Sequence, residues 1–230
     1  MRTHIGTVAL SAISFLVFVP GLVFVPGADA EQAHSNRALS APMPALAAAP
    51  LYAAPKADAG LVPAGSYRLD RGHASVTAQI RREGLSNFTF RFDRFDASFS
   101  YDPKKPAQTL LLVTLDPASV DANVPAWTEH LQAADLLDTA KFLQISFVST
   151  NFLQTGPATG VLVGNVTFLG VTKPMAVEVT LNGVASGPRT VVGFSGRAAI
   201  KMADFPMPGF AALHLGNDVQ FGIEAEFIKS

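Results

Sequence analysis

The chain has 230 residues, a formal net charge of -1 and only 15% charged residues, a size that fits one domain with appendages. The near-neutral charge argues against a nucleic-acid-binding protein, and the absence of cysteine excludes disulfides and thiolate metal sites. The aromatic residues comprise 17 Phe but only 3 Tyr and 1 Trp. Because Phe lacks the polar group that Tyr and Trp carry, this bias predicts an unusually apolar interior.

The N-terminal segment, residues 1–30, has the features of a secretory signal peptide. A short basic start precedes an apolar stretch over residues 5–25, and Ala28-Asp29-Ala30 forms a cleavage site of the small-x-small type. We therefore expect cleavage before Glu31 and a periplasmic protein. Secretion and an uncleaved N-terminal membrane anchor are the alternatives, since the apolar stretch approaches the roughly 20 residues that span a bilayer. Residues 31–64 are rich in Ala and Pro and are predicted to be a flexible linker.

From Gly65 onward the hydrophobic pattern alternates with a period of two, which predicts β-strands with one apolar face. The parity of this pattern changes at Asp93-Arg94, which predicts a bulge within one strand. Residues 110–115 are apolar on both faces, so we expect another element to cover them. A helical insertion is predicted over residues 124–138. One apolar face per strand over about eight strands is typical of a sandwich or a closed barrel. We interpret residues 65–230 as an all-β domain, a mostly antiparallel barrel whose interior is either filled or holds one small ligand.

Four segments, in order, resemble the YceI-like polyisoprenoid-binding family. Residues 130–142, HLQAADLLDTAKF, resemble its HL-x-S-x-D-F-F-D segment, and residues 164–174, GNVTFLGVTKP, resemble its G-x-L-T-x-x-G-V-T-K-P hairpin. Residues 67–76 and 216–226 resemble its first and last strands. The resemblance implies an extended lipocalin-like barrel of eight antiparallel strands that is exported and holds a long isoprenoid chain in its lumen. This chain departs from the family at Leu136, Leu137 and Pro206, where the family has Phe, Phe and Gly.

With this resemblance, the sequence predicts an exported carrier or storage protein for an isoprenoid or a similar apolar lipid, with no other cofactor. A polar end of the pocket is predicted at His73, Trp127 and His130. The inward-facing side chains are predicted to line the lumen and contact the lipid: Phe88, Phe90, Phe92, Leu136, Leu137, Phe147, Phe168, Val177, Val179, Phe194, Phe221 and Ile223.

Neither a metal site nor an enzyme is predicted. The histidines lack HxH or HExxH spacing, and no nucleophile motif or phosphate-binding loop is present. Two alternatives stay open: a lipid-modifying enzyme that uses His73 or His130 as a base, and a structural barrel that binds no ligand. For partners, we expect an apolar long-chain lipid and no nucleic acid. Transient contact with a membrane and formation of a homodimer also stay open.

Overall fold

The computed structural model describes residue 52 and residues 54–230; the predicted signal peptide and most of the predicted linker lie outside these residues. The described chain is mostly β-strand, with one α-helix, α1 (Pro125–Gln132), and several short 3-10 turns. Its ten strands are β1 (Gly65–Arg82), β2 (Ser86–Phe92), β3 (Phe95–Tyr101), β4 (Leu110–Leu115), β5 (Val120–Asp121), β6 (Ile145–Gln154), β7 (Thr159–Phe168), β8 (Val171–Ala185), β9 (Val191–Lys201) and β10 (Leu215–Lys229).

Eight of these strands close into an antiparallel barrel, as predicted. The hydrogen-bonded order is β1-β3-β4-β6-β7-β8-β9-β10, and β10 pairs back onto β1. Each of these eight strands therefore has a hydrogen-bonded neighbour on both sides. The two remaining strands form a side branch, in which β2 pairs with the second half of β1 and the two-residue β5 pairs with β2.

The predicted bulge at Asp93-Arg94 is instead a break between two strands, although the parity does change there. Both β2 and β3 pair with β1, through Val76↔Phe92 and Arg68↔Ser98. Of these three strands, the long strand β1 is therefore the irregular one. Its residues 70–73 lie opposite a single β10 residue, Glu226, between two regular stretches of pairing.

The end of the predicted linker packs against the barrel, so the prediction of a flexible tether is wrong for residues 54–64. Lys56 forms a β-bridge with Val184, and the Ala59 N–H donates to the Pro157 carbonyl oxygen at 2.8 Å. Val62 is buried. One buried Val is too weak a sequence signal to separate this packed stretch from the Ala/Pro-rich segment before it. The backbone hydrogen bonds that hold the stretch leave no signal in the sequence.

Two further expectations need correction. The outward side chains of β4, Leu110 and Leu112, are exposed, so no described element covers them as the apolar pattern suggested. The predicted helix over residues 124–138 ends at Gln132, and turns follow it, with Asp138 at a positive φ of 42°.

None of the helices among the described residues has the length and apolar character needed to cross a bilayer.

Candidate functional site

An apolar cavity of about 290 Å³ extends along the barrel axis. Its lower end lies at Ala59 and Tyr101, and its upper end at Phe210 and Leu215. The lining positions on β10 run from Leu215 to Phe227, about 40 Å along the strand at roughly 3.3 Å per residue. With the tilt usual for barrel strands, this is on the order of 30 Å along the axis. The cavity is long and narrow.

Phenylalanine dominates the lining, and no charged side chain of the described residues contributes to it. The domain contains 14 Phe, and all except Phe142 and Phe205 line the cavity. Phe205 lies directly behind the wall, with its ring 5.0 Å from that of Phe168. The Phe bias of the sequence is therefore concentrated on the inner surface of the barrel.

All twelve side chains predicted to line the lumen do line this cavity. Several of them, such as Phe88, Phe90 and Phe221, stay partly accessible although they point inward. The alternation could place these residues because a period of two assigns each strand one inner face. That they contact a ligand stays a prediction.

The three residues predicted to form a polar end do not line the cavity. His73 lies on the outer wall, where its Nδ1 is 3.2 Å from Asp70 Oδ2 and 4.0 Å from Glu226 Oε2. The irregular stretch of β1 turns this side chain outward. The hydrogen bond from His73 is the main reason why the pKa of Asp70 is lowered. Asp70, His73 and Glu226 are close enough to hold a metal ion, but they are away from the cavity.

Trp127 and His130 lie beside the upper end, behind the lining. The Trp127 ring is 5.5 Å from that of Phe88, which lines the cavity, and it stacks on His130 at 5.8 Å. Both α1 residues are exposed to solvent. The sequence placed both residues in the helical insertion but could not show that neither side chain lines the cavity.

The lower end is packed with aromatic rings. Tyr67 and Phe99 stack with centroids 4.5 Å apart, and Phe99 meets the edge of Phe227 at 4.9 Å. The Tyr67 hydroxyl donates to the Pro63 carbonyl oxygen at 2.6 Å, which fastens the segment that precedes β1. Burial raises the pKa of Tyr67 to about 12. Together, these contacts make a tightly packed base at the lower end of the cavity.

The upper end is built from loops rather than strands. Leu131, Leu136 and Leu137 enter from α1 and the turns after it. A second loop, residues 202–214, lies beside them, and its Gly209 N–H donates to the Asp135 carbonyl oxygen at 2.9 Å. Sequence reasoning missed the lining residues of this loop. These are Met202, Met207, Phe210 and Leu213. The last three recur every three residues, a spacing typical of the 3-10 turn that contains Phe210 and Leu213.

The few hydroxyl groups along the lining are mostly engaged with the protein. Tyr101 donates to the Ala59 carbonyl oxygen at 3.3 Å, and Thr109 donates to that of Pro106 at 2.6 Å. Ser195 donates to Glu224 at 2.7 Å on the outer side of the wall. The Thr159 hydroxyl accepts from Thr155. Such a lining offers an apolar molecule close contact and offers a polar head group very little.

A family model described as the YceI-like domain matches residues 67–227 of this chain. The chain belongs to the YceI-like family. Curated relatives include UPF0312 proteins of two Shewanella species. That of Shewanella baltica is 38% identical over 146 residues, which cover 62% of this chain and 76% of the relative. That of Shewanella oneidensis is 36% identical over 148 residues, which cover 63% and 78%.

Solved structures share the YceI-like fold. Burkholderia cenocepacia BcnA matches with a TM-score of 0.62 and 23% identity over 69% of this chain and 98% of that one. The Campylobacter jejuni YCEI protein matches with a TM-score of 0.58 and 26% identity over 64% and 87%. A domain from Saccharophagus degradans described as polyisoprenoid-binding matches with a TM-score of 0.55 and 16% identity over 71% and 98%. At identities as low as those of the first and third, the likeness establishes a common fold and nothing further.

Proposed function

We propose that this protein is an exported carrier or storage protein that holds one isoprenoid-type or similar long-chain lipid in the barrel. The uncharged, Phe-lined cavity along the barrel axis is the observation that carries the proposal. Moving an aliphatic chain out of water yields about 0.8 kcal/mol for each CH₂ group, so such a lining needs no polar contacts to bind it. The Saccharophagus degradans domain, described as polyisoprenoid-binding, has the same fold and supports this ligand class.

The polar groups favour binding over catalysis. General acid-base chemistry requires a titratable side chain within hydrogen-bond reach of the reacting atom, and the lining consists of apolar side chains and a few hydroxyls. His73 and His130, the bases considered for a lipid-modifying enzyme, are exposed outside the lining. The proposed role is therefore to hold a lipid unchanged, with that lipid as the only small-molecule partner.

The central experiment is organic extraction of the purified protein followed by mass spectrometry. We expect a long-chain apolar lipid to be present in near-stoichiometric amount. An empty protein that also fails to take up added polyprenol or quinone would contradict the proposal and favour a structural barrel. Chemical conversion of an added lipid would instead identify an enzyme.

A pair of substitutions on neighbouring residues makes the test specific for the lumen. Ala198 lines the cavity between Val177 and Phe221, whereas Ala199 points outward and is exposed. We expect Ala198→Phe to fill the cavity and reduce lipid content at least severalfold, because the added ring occupies the space of the ligand. Ala199→Phe should retain the lipid. Equal retention in both folded variants would show that the lipid binds elsewhere.

A charged substitution gives a second measurement. Phe90→Asp places a carboxylate in a lining without partners for it, which is costly for both the lipid and the fold. We expect this variant to lose the lipid, and circular dichroism would establish that the barrel persists. If the variant unfolds, the uncharged Ala198→Phe variant still decides the question.

Export is supported by the basic start, apolar stretch and small-x-small site within residues 1–30. N-terminal sequencing of the protein from a periplasmic fraction should begin at Glu31. A chain that begins at Met1 and sediments with membranes would favour the anchored alternative.

A further inference from the structure

Three exposed apolar side chains lie near the upper end of the barrel, on the side of β2. Leu85 is 78% exposed in the hairpin between β1 and β2, and Val124 and Trp127 are 49% and 40% exposed at the start of α1. We call these three residues the upper rim. The hairpin lies beyond the last cavity-lining pair of its strands, Ile80↔Phe88. Leu85 therefore projects past the end of the cavity.

An aromatic series connects the upper rim to the cavity. The Trp127 ring lies 5.5 Å from Phe88, which lies 5.8 Å from Phe90, which in turn lies 5.8 Å from Phe92. All three Phe side chains line the cavity. An apolar chain that enters along β2 would touch aromatic carbon from the rim to the middle of the barrel.

The charges near the upper rim have both signs. Arg82 is 3.8 Å from Glu83 in the hairpin, and His214 Nδ1 is 4.0 Å from the same carboxylate. The Arg81 guanidinium donates to the Gly84 carbonyl oxygen in the same hairpin and adds a second cation, and Glu129 on α1 adds a second carboxylate. The two arginines and the two carboxylates balance, so they give no net positive patch of the kind that attracts anionic lipids. Contact through the rim would depend on its apolar side chains and not on electrostatic attraction.

We propose that the upper rim docks transiently on a lipid bilayer, with Leu85, Val124 and Trp127 inserted between the head groups, so that lipid enters or leaves along β2. This inference rests on the proposed lipid-binding function and assigns the end of the barrel where transfer occurs. Trp is favoured at the interface between water and membrane because its large ring is apolar and its indole N–H is polar.

A second copy of the chain is a poorer occupant of this surface. A stable protein interface buries about 800 Å² on each partner. A fully buried aromatic side chain contributes only about 150–250 Å², so three partly exposed side chains fall well short of that area. The hairpin and the helix start are projecting points, which suit insertion into a soft surface better than packing against a rigid one.

The test uses the only tryptophan of the chain as a reporter. The full-length protein is mixed with phosphatidylcholine vesicles whose acyl chains carry bromine, and the emission of Trp127 is recorded. We expect a blue shift and quenching that persist at high salt. Because Trp127 lies on the rim, the signal reports contact at this end whatever the predicted signal peptide and linker do.

Two double variants complete the test. Leu85→Ser/Val124→Ser removes two rim side chains, keeps Trp127 and places a preferred N-cap residue before α1, so the helix should remain intact. Leu112→Ser/Val148→Ser is the matched control, since these paired wall residues are 42% and 41% exposed. We expect the rim variant to bind vesicles roughly tenfold more weakly or worse, and the wall variant to bind as the parent does.

Three outcomes would overturn the inference: a Trp127 emission that vesicles leave unchanged, an equal loss of binding in both double variants, or a dimer that the rim substitutions convert to a monomer. The failure of the docking inference is distinguishable from the failure of the proposed lipid-binding function. Lipid found on extraction without Trp127 quenching would reject only the docking surface. Quenching with an empty barrel would keep the docking surface and reject the lipid cargo.

Discussion

The two ends of this barrel use similar apolar residues for different purposes. At the lower end, Phe99 packs against Tyr67, Phe194 and Phe227 with ring centroids 4.5, 5.9 and 4.9 Å away, and the segment before β1 closes over them. At the upper end, Phe88 has only tilted contacts with Phe90 and Trp127 and stays partly accessible. Composition alone therefore does not distinguish a core from a binding cavity. The difference is whether other side chains fill the space in front of the ring.

The largest expected effect comes from truncating one Phe at each end. Phe99→Ala should lower the free energy of unfolding by about 3–5 kcal/mol, because it leaves a void among packed rings. Phe88→Ala should cost about 1–2 kcal/mol, since its ring already faces open space. Urea unfolding of both variants measures the difference. The lipid content of each preparation must be matched, because a bound lipid stabilises the folded state. Equal costs would mean that the two ends are packed alike.

The alternation of apolar residues along each strand could predict the wall of the cavity, because it reflects local structure. Most of the features that the sequence did not reveal depend on packing between distant segments. The alternation placed Phe90 and Phe221 on the inner face because the pleat assigns alternate residues to opposite sides. The same rule gave no information on Leu112, whose outward side chain lacks the expected cover, because covering is a property of distant segments. His73 was misplaced because an irregular stretch of β1 changes the direction of its side chains.

The ends of the barrel were harder to predict than its wall. Val62 lies in an Ala/Pro-rich stretch that gives no periodic signal, yet it is buried at the lower end. Met207 and Phe210 lie in a loop interrupted by prolines, yet they line the upper end. Both closures depend on a few side chains in segments without a regular repeat, which pattern analysis cannot separate from ordinary loops.

Alkaline pH should weaken the lower end selectively. Burial raises the pKa of Tyr67 to about 12, above the value near 10 of an unfolded tyrosine, so the unfolded chain loses this proton first as the pH rises. The stabilisation that Tyr67 provides is complete below pH 10 and is lost between about pH 10 and 12, by up to roughly 2–3 kcal/mol. Tyr101, whose pKa is also raised by burial, adds in the same direction.

The measurement is the difference in unfolding free energy between the parent and Tyr67→Phe, followed from pH 8 to pH 12. Titration of the other groups largely cancels in this difference. The parent should be more stable at pH 8, where the hydrogen bond from Tyr67 to Pro63 is intact, and its advantage should shrink above pH 10. A difference that stays constant over the whole range would show that Tyr67 ionises as readily in the folded protein as in the unfolded chain.

The smallest expected effect concerns the segment that closes the lower end. At Gly183, an added Cβ would lie 2.4 Å from the Cβ of Pro55, so Gly183→Ala must displace that segment. At Gly193, its partner across the β8–β9 pairing, an added Cβ would have no neighbour nearer than 3.9 Å, which makes Gly193→Ala the matched control. The displacement should break the hydrogen bond from the Val184 N–H to the Lys56 carbonyl oxygen, at a cost of about 1 kcal/mol.

Hydrogen exchange monitors this displacement directly. The Val184 amide should exchange faster in Gly183→Ala than in the parent or in Gly193→Ala, while amides of the upper end, such as that of Gly209, should be unchanged. Lipid content should also be unchanged, because the segment closes the base of the cavity and lies opposite the upper rim. Faster exchange at both ends would mean that the two closures open together. The tightly packed base would then be part of the route by which lipid enters. The two ends would differ in packing but not in function.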